Sequence, residues 1–92
     1  MSETLPSSLE LRVITSREVL VDERVEEVSL PSLEGYLGIL PGHRKLIIAL
    51  GKGRIEYHSA RSKKHHAVNG GYARIQPDSV LVFTETEEDE SS

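Results

Sequence analysis

The 92-residue chain is predicted to be all-β: a single small antiparallel β-sandwich or flattened barrel of about eight to ten strands. Apolar residues recur at every second position along most of the chain, whereas no segment repeats them at the spacing of an amphipathic helix. Turn signals return about every ten residues, the rhythm of short strands joined by tight connections.

The elements follow in order. "LELRV" alternates Leu9, Leu11 and Val13 with Glu10 and Arg12, a half-buried strand. "EVLVDERVEEVSL" continues with Val19 and Val21 and then changes phase between Val25 and Val28, which predicts a turn or bulge near Glu26 and Glu27. "GYLGIL" and "RKLIIALG" lie on either side of Pro41-Gly42. That dipeptide suits the central positions of a type II turn, because proline presets one φ and glycine tolerates the positive one, so the chain is expected to reverse there. "GRIEYH" and "KKHHAV" flank Ser59 to Ser62 as a hairpin, and "YARIQ" and "SVLVFT" flank Pro77-Asp78 as another. The domain is assigned to residues 9–86, between a polar, disordered start (1–8) and an acidic, disordered tail (87–92).

Composition narrows the chemistry. One domain is all that 92 residues supply, and 37% hydrophobic content makes for a thin core that an external partner could help to cover. The absence of cysteine excludes disulfides, thiolate zinc sites and cysteine nucleophiles. The start "MSETLPSSLE" is not a signal peptide, and the longest apolar run, Leu46 to Leu50, is far too short to span a membrane. The net charge of −4 is concentrated in the tail, where Glu85, Glu87, Glu88, Asp89 and Glu90 stand; the remainder is close to neutral.

Candidate sites divide into weak and stronger ones. "GKG" at 51–53 lacks the spacing and ending of a phosphate-binding loop and reads as a turn between strands, so no cofactor is expected. If Ser59 to Ser62 form the hairpin loop, His58 faces Lys63 and Glu56 faces His65. Two imidazoles and a carboxylate then share a face, but the Lys63 ammonium beside them disfavours a cation; a Glu56–His65 charge pair on a solvated hairpin is the reading, with no metal. His43 follows a turn and lacks a neighbouring nucleophile or orienting carboxylate, so it is a turn or interface histidine and no catalytic residue is expected. The basic hairpin 52–66, with Lys52, Arg54, Arg61, Lys63 and Lys64, supports an alternative: a free-standing nucleic-acid or polyanion-binding module. Only Tyr57 lies within it to stack on bases, which argues against that function.

Several motifs in order carry a more specific resemblance. The run E-G-x-L-G-I-L-P-G-H from Glu34 to His43 and the glycine pair Gly70-Gly71 before Tyr72, set within matching strands from about Leu9 to Thr86, resemble the N-terminal β-sandwich domain of F-type ATP synthase epsilon subunits, called delta in mitochondria. The resemblance implies a non-catalytic subunit of the central stalk. It would bind gamma and touch the ring of c subunits, and it would be peripheral to the cytoplasmic face of the bacterial inner membrane, without a span of its own. It implies a c-ring-facing loop of Leu33, Glu34, Gly35, Tyr36 and Leu37, and a gamma-facing edge of Pro41, Gly42, His43, Leu46 and Ile48. The sequence departs from the family pattern in two places: Arg44-Lys45 replace a small residue and proline, and Tyr36 stands where a polar or charged residue is common. Typical members continue for about forty further residues as an inhibitory two-helix hairpin. This sequence instead runs into "TETEEDESS", so no autoinhibition by extension is expected of it.

Overall fold

A computed structural model describes residues 6–85, all of whose regular elements are strands. They are β1 (Leu9–Ile14), β2 (Val19–Val25), β3 (Glu27–Ser32), β4 (Gly35–Ile39), β5 (Leu46–Ala49), β6 (Lys52–His58), β7 (Lys63–Asn69), β8 (Tyr72–Gln76) and β9 (Ser79–Phe83). Five strands form one sheet in the order β2-β1-β9-β8-β5, and four form the second in the order β4-β3-β6-β7. The expected acidic tail, 87–92, lies outside the described residues. Of the expected disordered start, Ser8 is described, and its hydroxyl accepts a hydrogen bond from Arg24 Nη1 at 3.1 Å.

The alternation in sequence becomes the two faces of each sheet. Leu9, Leu11 and Val13 of β1, Ile55 and Tyr57 of β6, Ala73 and Ile75 of β8, and Val80 and Val82 of β9 all point between the sheets, where they are buried. Leu30 and Ile39 meet them from the four-stranded side. Burial of such side chains is worth about 1.5–3 kcal/mol each, which offsets the entropy of ordering a short chain.

Two connections and the position of a bulge differ in part from the sequence expectation. The change of phase at Glu26 is a bend at which the chain leaves one sheet and enters the other, held by a Glu26 N–H bond to the His58 carbonyl at 2.8 Å. The bulge lies earlier: Val13 faces Val21 but Ile14 faces Val19, so Leu20 is the extra residue. Pro41-Gly42 does form a type II turn, with Gly42 at φ 90° and His43 N–H bonded to the Leu40 carbonyl at 3.1 Å. That turn carries the chain between sheets rather than back along its own, since β4 and β5 belong to different sheets. It is tied to the β8–β9 hairpin by Gly42 N–H and the Pro77 carbonyl, 2.7 Å apart.

Ladders within the sheets are antiparallel except β1–β9, which run parallel from Glu10–Ser79 to Ile14–Phe83. Almost the whole fold is the connection between those two strands, so no local turn signals their pairing. The GKG segment also differs from expectation, because Lys52 and Gly53 already belong to β6 and the joint is at Leu50-Gly51.

Candidate functional site

The region from Ser32 to Ile48, which holds every residue of the expected loop and edge, is built on a hairpin and not on a loose loop. Leu33 and Glu34 are its two-residue turn, and Gly35 to Ile39 form β4, an edge strand. Ser32 closes the turn: its hydroxyl accepts from Glu34 N–H at 3.1 Å and donates to the Gly35 carbonyl at 2.5 Å. The tip is also anchored from outside, by Leu33 N–H to the Ala49 carbonyl (3.2 Å) and Gly51 N–H to the Pro31 carbonyl (2.8 Å). Leu33 is left 70% exposed on a fixed backbone.

Tyr36 is seated by a specific accommodation. Pro31 has no N–H to continue the β3–β6 ladder, which ends at Ser29–Glu56. The Arg54 amide beyond it donates instead to the Tyr36 hydroxyl at 3.2 Å. The ring therefore lies over Pro31 and Gly53, and a Cβ at Gly53 would stand 2.7 Å from the Tyr36 oxygen and 2.9 Å from Pro31 Cβ. Tyr36 is nevertheless 63% exposed. Leu37 turns inward and packs partly on the core.

On the expected second edge the side chains alternate. Leu46 and Ile48 are partly buried against the core, and Ile47 between them is the outward one, 67% exposed. A strand shows only every second residue to a partner, so Ile47 is the apolar side chain that β5 presents. His43 Nδ1 lies 2.7 Å from the Arg44 carbonyl and donates to it, which fixes the ring at the turn.

A further apolar surface was missed in the sequence. Register places Ile14, Phe83, Tyr72 and Ala49 in one row across the outer face of the five-stranded sheet, next to a row of Arg12, Leu81, Arg74 and Ile47. Tyr72 and Phe83 are in contact, with ring centroids 5.0 Å apart. The signal was in "SVLVF", where Leu81 and Phe83 are apolar in the phase opposite to buried Val80 and Val82.

The basic hairpin does not gather its charge on one face. Its register is the one expected, His58–Lys63 and Glu56–His65. The ion pairs differ from the expected Glu56–His65 contact: Arg54 Nη2 approaches Glu56 Oε2 at 3.4 Å, and His58 Nε2 approaches Glu27 Oε1 of β3 at 3.1 Å. Arg54 shares the outer face two residues from Glu56, and Glu27 of β3 lies directly opposite His58 as His65 of β7 lies opposite Glu56. Lys64 points to the other face and meets Glu23 of β2 at 2.9 Å. The hydrogen bond and charge of Glu23 raise the Lys64 ammonium above its ordinary value, and burial together with Glu23 raises the Tyr57 phenol. Among the described residues no three His, Asp or Glu side chains converge closely enough to hold a metal ion, and no helix is long and apolar enough to cross a membrane.

A chain of nine short strands in two packed sheets, with exposed leucine, isoleucine and tyrosine side chains on a hairpin and an adjoining edge, is, as a class, a small β-sandwich domain. Residues 8–90 match the family model described as ATP synthase, Delta/Epsilon chain, beta-sandwich domain, and the chain belongs to that family. It is 42% identical over 84 residues to an ATP synthase epsilon chain of Solibacter usitatus, a match covering 91% of this chain and 63% of that one. A second epsilon chain, from Herpetosiphon aurantiacus, is 34% identical over 80 residues, with 87% and 59% covered. The chain thus spans about three fifths of the length of these curated relatives. Its fold resembles a chain of the Euglena gracilis mitochondrial ATP synthase, solved as OSCP/F1/c-ring, with TM-score 0.83, 23% identity and 91% and 54% of the two chains covered. It also resembles a chain of the Tetrahymena thermophila mitochondrial ATP synthase central stalk/c-ring, with TM-score 0.71, 12% identity and 91% and 67% covered.

Proposed function

We propose that this chain acts as a non-catalytic part of the central stalk of an F-type ATP synthase, docking on gamma and touching the c-ring so that the rotor turns as one body. Membership of the delta/epsilon β-sandwich family supports the setting. The observation that carries the binding role is the grouping of exposed apolar side chains, Leu33, Tyr36, Leu40 and Ile47, within one stretch of chain held by backbone bonds. Exposed apolar groups on a rigid frame cost little entropy to dock, which suits a lasting contact. The Leu33-Glu34 tip is assigned to the c-ring and the Pro41 to Ile48 segment to gamma, with Ile47 its apolar contact. On this reading the chain works at the cytoplasmic face of the bacterial membrane and has no catalytic step of its own.

Size-exclusion co-elution with the matching gamma subunit tests this. The wild-type chain forms a complex at micromolar concentration, Ile47→Asp abolishes it, and Lys63→Ala leaves it intact, with circular dichroism confirming that each variant is folded. Absence of a wild-type complex, or loss with Lys63→Ala alone, overturns the proposal.

A further inference from the structure

The two sheets have four edge strands, and three are more heavily guarded than the fourth against pairing with another chain. β7 carries Lys63, Lys64, His65 and His66. β2 is bulged at Leu20 and carries Asp22, Glu23 and Arg24. β5 has 4 residues and is preceded by Arg44-Lys45. Charge, bulges and shortness are the usual means by which proteins keep edges single. β4 is the least guarded: "GYLGI" and the following Leu40 contain no charge and no proline, Glu34 and Pro41 standing only at the two ends, and the ladder to β3 has no bulge.

Register shows which backbone groups stand open. The two-residue turn makes Ser32 and Gly35 a hydrogen-bonded pair, and bonding alternates from there. Gly35, Leu37 and Ile39 therefore direct their N–H and C=O groups to β3, while those of Tyr36 and Gly38 point away from the sheet. Among the described residues no backbone bond from another element reaches them.

From this edge we infer that β4 pairs antiparallel with β4 of a second copy of the chain, about a two-fold axis at Leu37. The arrangement is self-complementary. It sets Tyr36 opposite Gly38 of the other copy, each pair exchanging both N–H···O=C bonds, and Gly38, having no side chain, leaves the approach of the second strand unobstructed while the Tyr36 ring stays over Pro31 and Gly53. Leu37 faces its own counterpart, and Glu34 falls opposite Leu40, so no like charges confront one another. The exposed Leu33 and Leu40 flank the pair and lose water on pairing. The inference rests on sheet geometry and not on the stalk reading. It does use the residues proposed for stalk contact, so the paired form belongs to the subunit before assembly.

Sedimentation equilibrium of the full chain from micromolar to millimolar concentration tests it. The weight-average mass rises toward that of a dimer, and Gly38→Lys weakens association by about tenfold or more, as a charge on an edge does. A Cβ at Gly38 would stand 3.7 Å from Glu27 Oε2, an ordinary contact, so this variant keeps its fold, which circular dichroism checks. Leu37→Cys supplies a second readout because the chain contains no cysteine. Directly opposed residues of a non-hydrogen-bonded pair have Cα atoms about 4.5 Å apart, within disulfide range. Mild oxidation therefore links Leu37→Cys chains faster than Lys63→Cys chains. A monomer at millimolar concentration, association unchanged by Gly38→Lys, or equal cross-linking at the two positions overturns the inference and leaves the stalk proposal standing.

Discussion

Lys64 and Glu23 join the two sheets along one side of the sandwich: Nζ lies 2.9 Å from Oε2, linking β7, an edge of the four-stranded sheet, to β2, an edge of the five-stranded one. Tyr57, which faces Lys64 across the β6–β7 ladder, is buried beside this contact. The pair thus acts as a latch on an otherwise open edge.

Its titration predicts loss of stability in alkali. Lys64 is raised above 10.5 by its hydrogen bond and charge interaction with Glu23, and Tyr57 is raised above 10.0 by burial first and Glu23 second. In both cases the folded state holds a proton that the unfolded state releases, so the contribution is full below the ordinary value and is lost as pH rises through the folded one. Urea stability should hold steady from neutrality and fall once the pH passes 10.0. The double variant Glu23→Gln/Tyr57→Phe should show a shallower fall. A fall as steep as in the wild type would refute the role of this cluster.

Neighbouring glycines at the β7–β8 turn should differ in tolerance. Both have positive φ, 83° at Gly70 and 110° at Gly71. A Cβ at Gly70 meets open space, whereas one at Gly71 would be driven into the Phe83 carbonyl oxygen and the backbone of Thr84. Gly70→Ala should cost about 1–2 kcal/mol, the penalty of the backbone conformation. Gly71→Ala should cost more than about 3 kcal/mol, because strain and overlap add. Chemical denaturation of the two variants under one set of conditions measures the difference.

Removing the Tyr36 hydroxyl should release the Arg54 amide. Tyr36→Phe deprives that N–H of its acceptor and should cost about 0.5–1.5 kcal/mol, the net worth of a hydrogen bond. Amide exchange at Arg54 should quicken while exchange at Ile55 is unchanged. Equal protection of Arg54 in wild type and variant would show that the hydroxyl does not hold the strand.

Leu30 and Leu33, three residues apart in the β3–β4 hairpin, should separate stability from binding. Leu30 is fully buried, so Leu30→Ala should cost about 2–5 kcal/mol. Leu33 is exposed at the tip, so Leu33→Ala should change stability by less than about 0.5 kcal/mol while weakening a complex that contains the c-ring. Urea melts and co-sedimentation with assembled rotor distinguish the two effects. A large stability loss for Leu33→Ala would mean that the tip is structural.

Much of the fold was legible because strand and turn are local. Alternation in "LELRV" named a strand whose inward face is the observed one, "YARIQ" and "SVLVFT" form the expected hairpin, and Ser59 to Ser62 set the His58–Lys63 and Glu56–His65 register as expected. The candidate site was legible only in part. The run from Glu34 to His43, expected as a loop, is strand β4 followed by a turn, with Gly38 in the strand interior, and Ile47, not Leu46 or Ile48, carries the outward face of β5. In "LIIAL" every residue is apolar, so the phase of the strand has no local marker.

The sequence by itself determined the all-β class, the type II turn at Pro41-Gly42 and the pairing of β6 with β7, because φ preferences and period-two patterning act between near neighbours. Only the tertiary structure decided that β1 lies parallel to β9, that Glu26 marks a change of sheet, that Lys64 reaches Glu23, and that Ile14, Phe83 and Tyr72 form one row. These relationships join residues far apart in the chain. They depend on how two sheets bury a shared core, which no single stretch of sequence encodes.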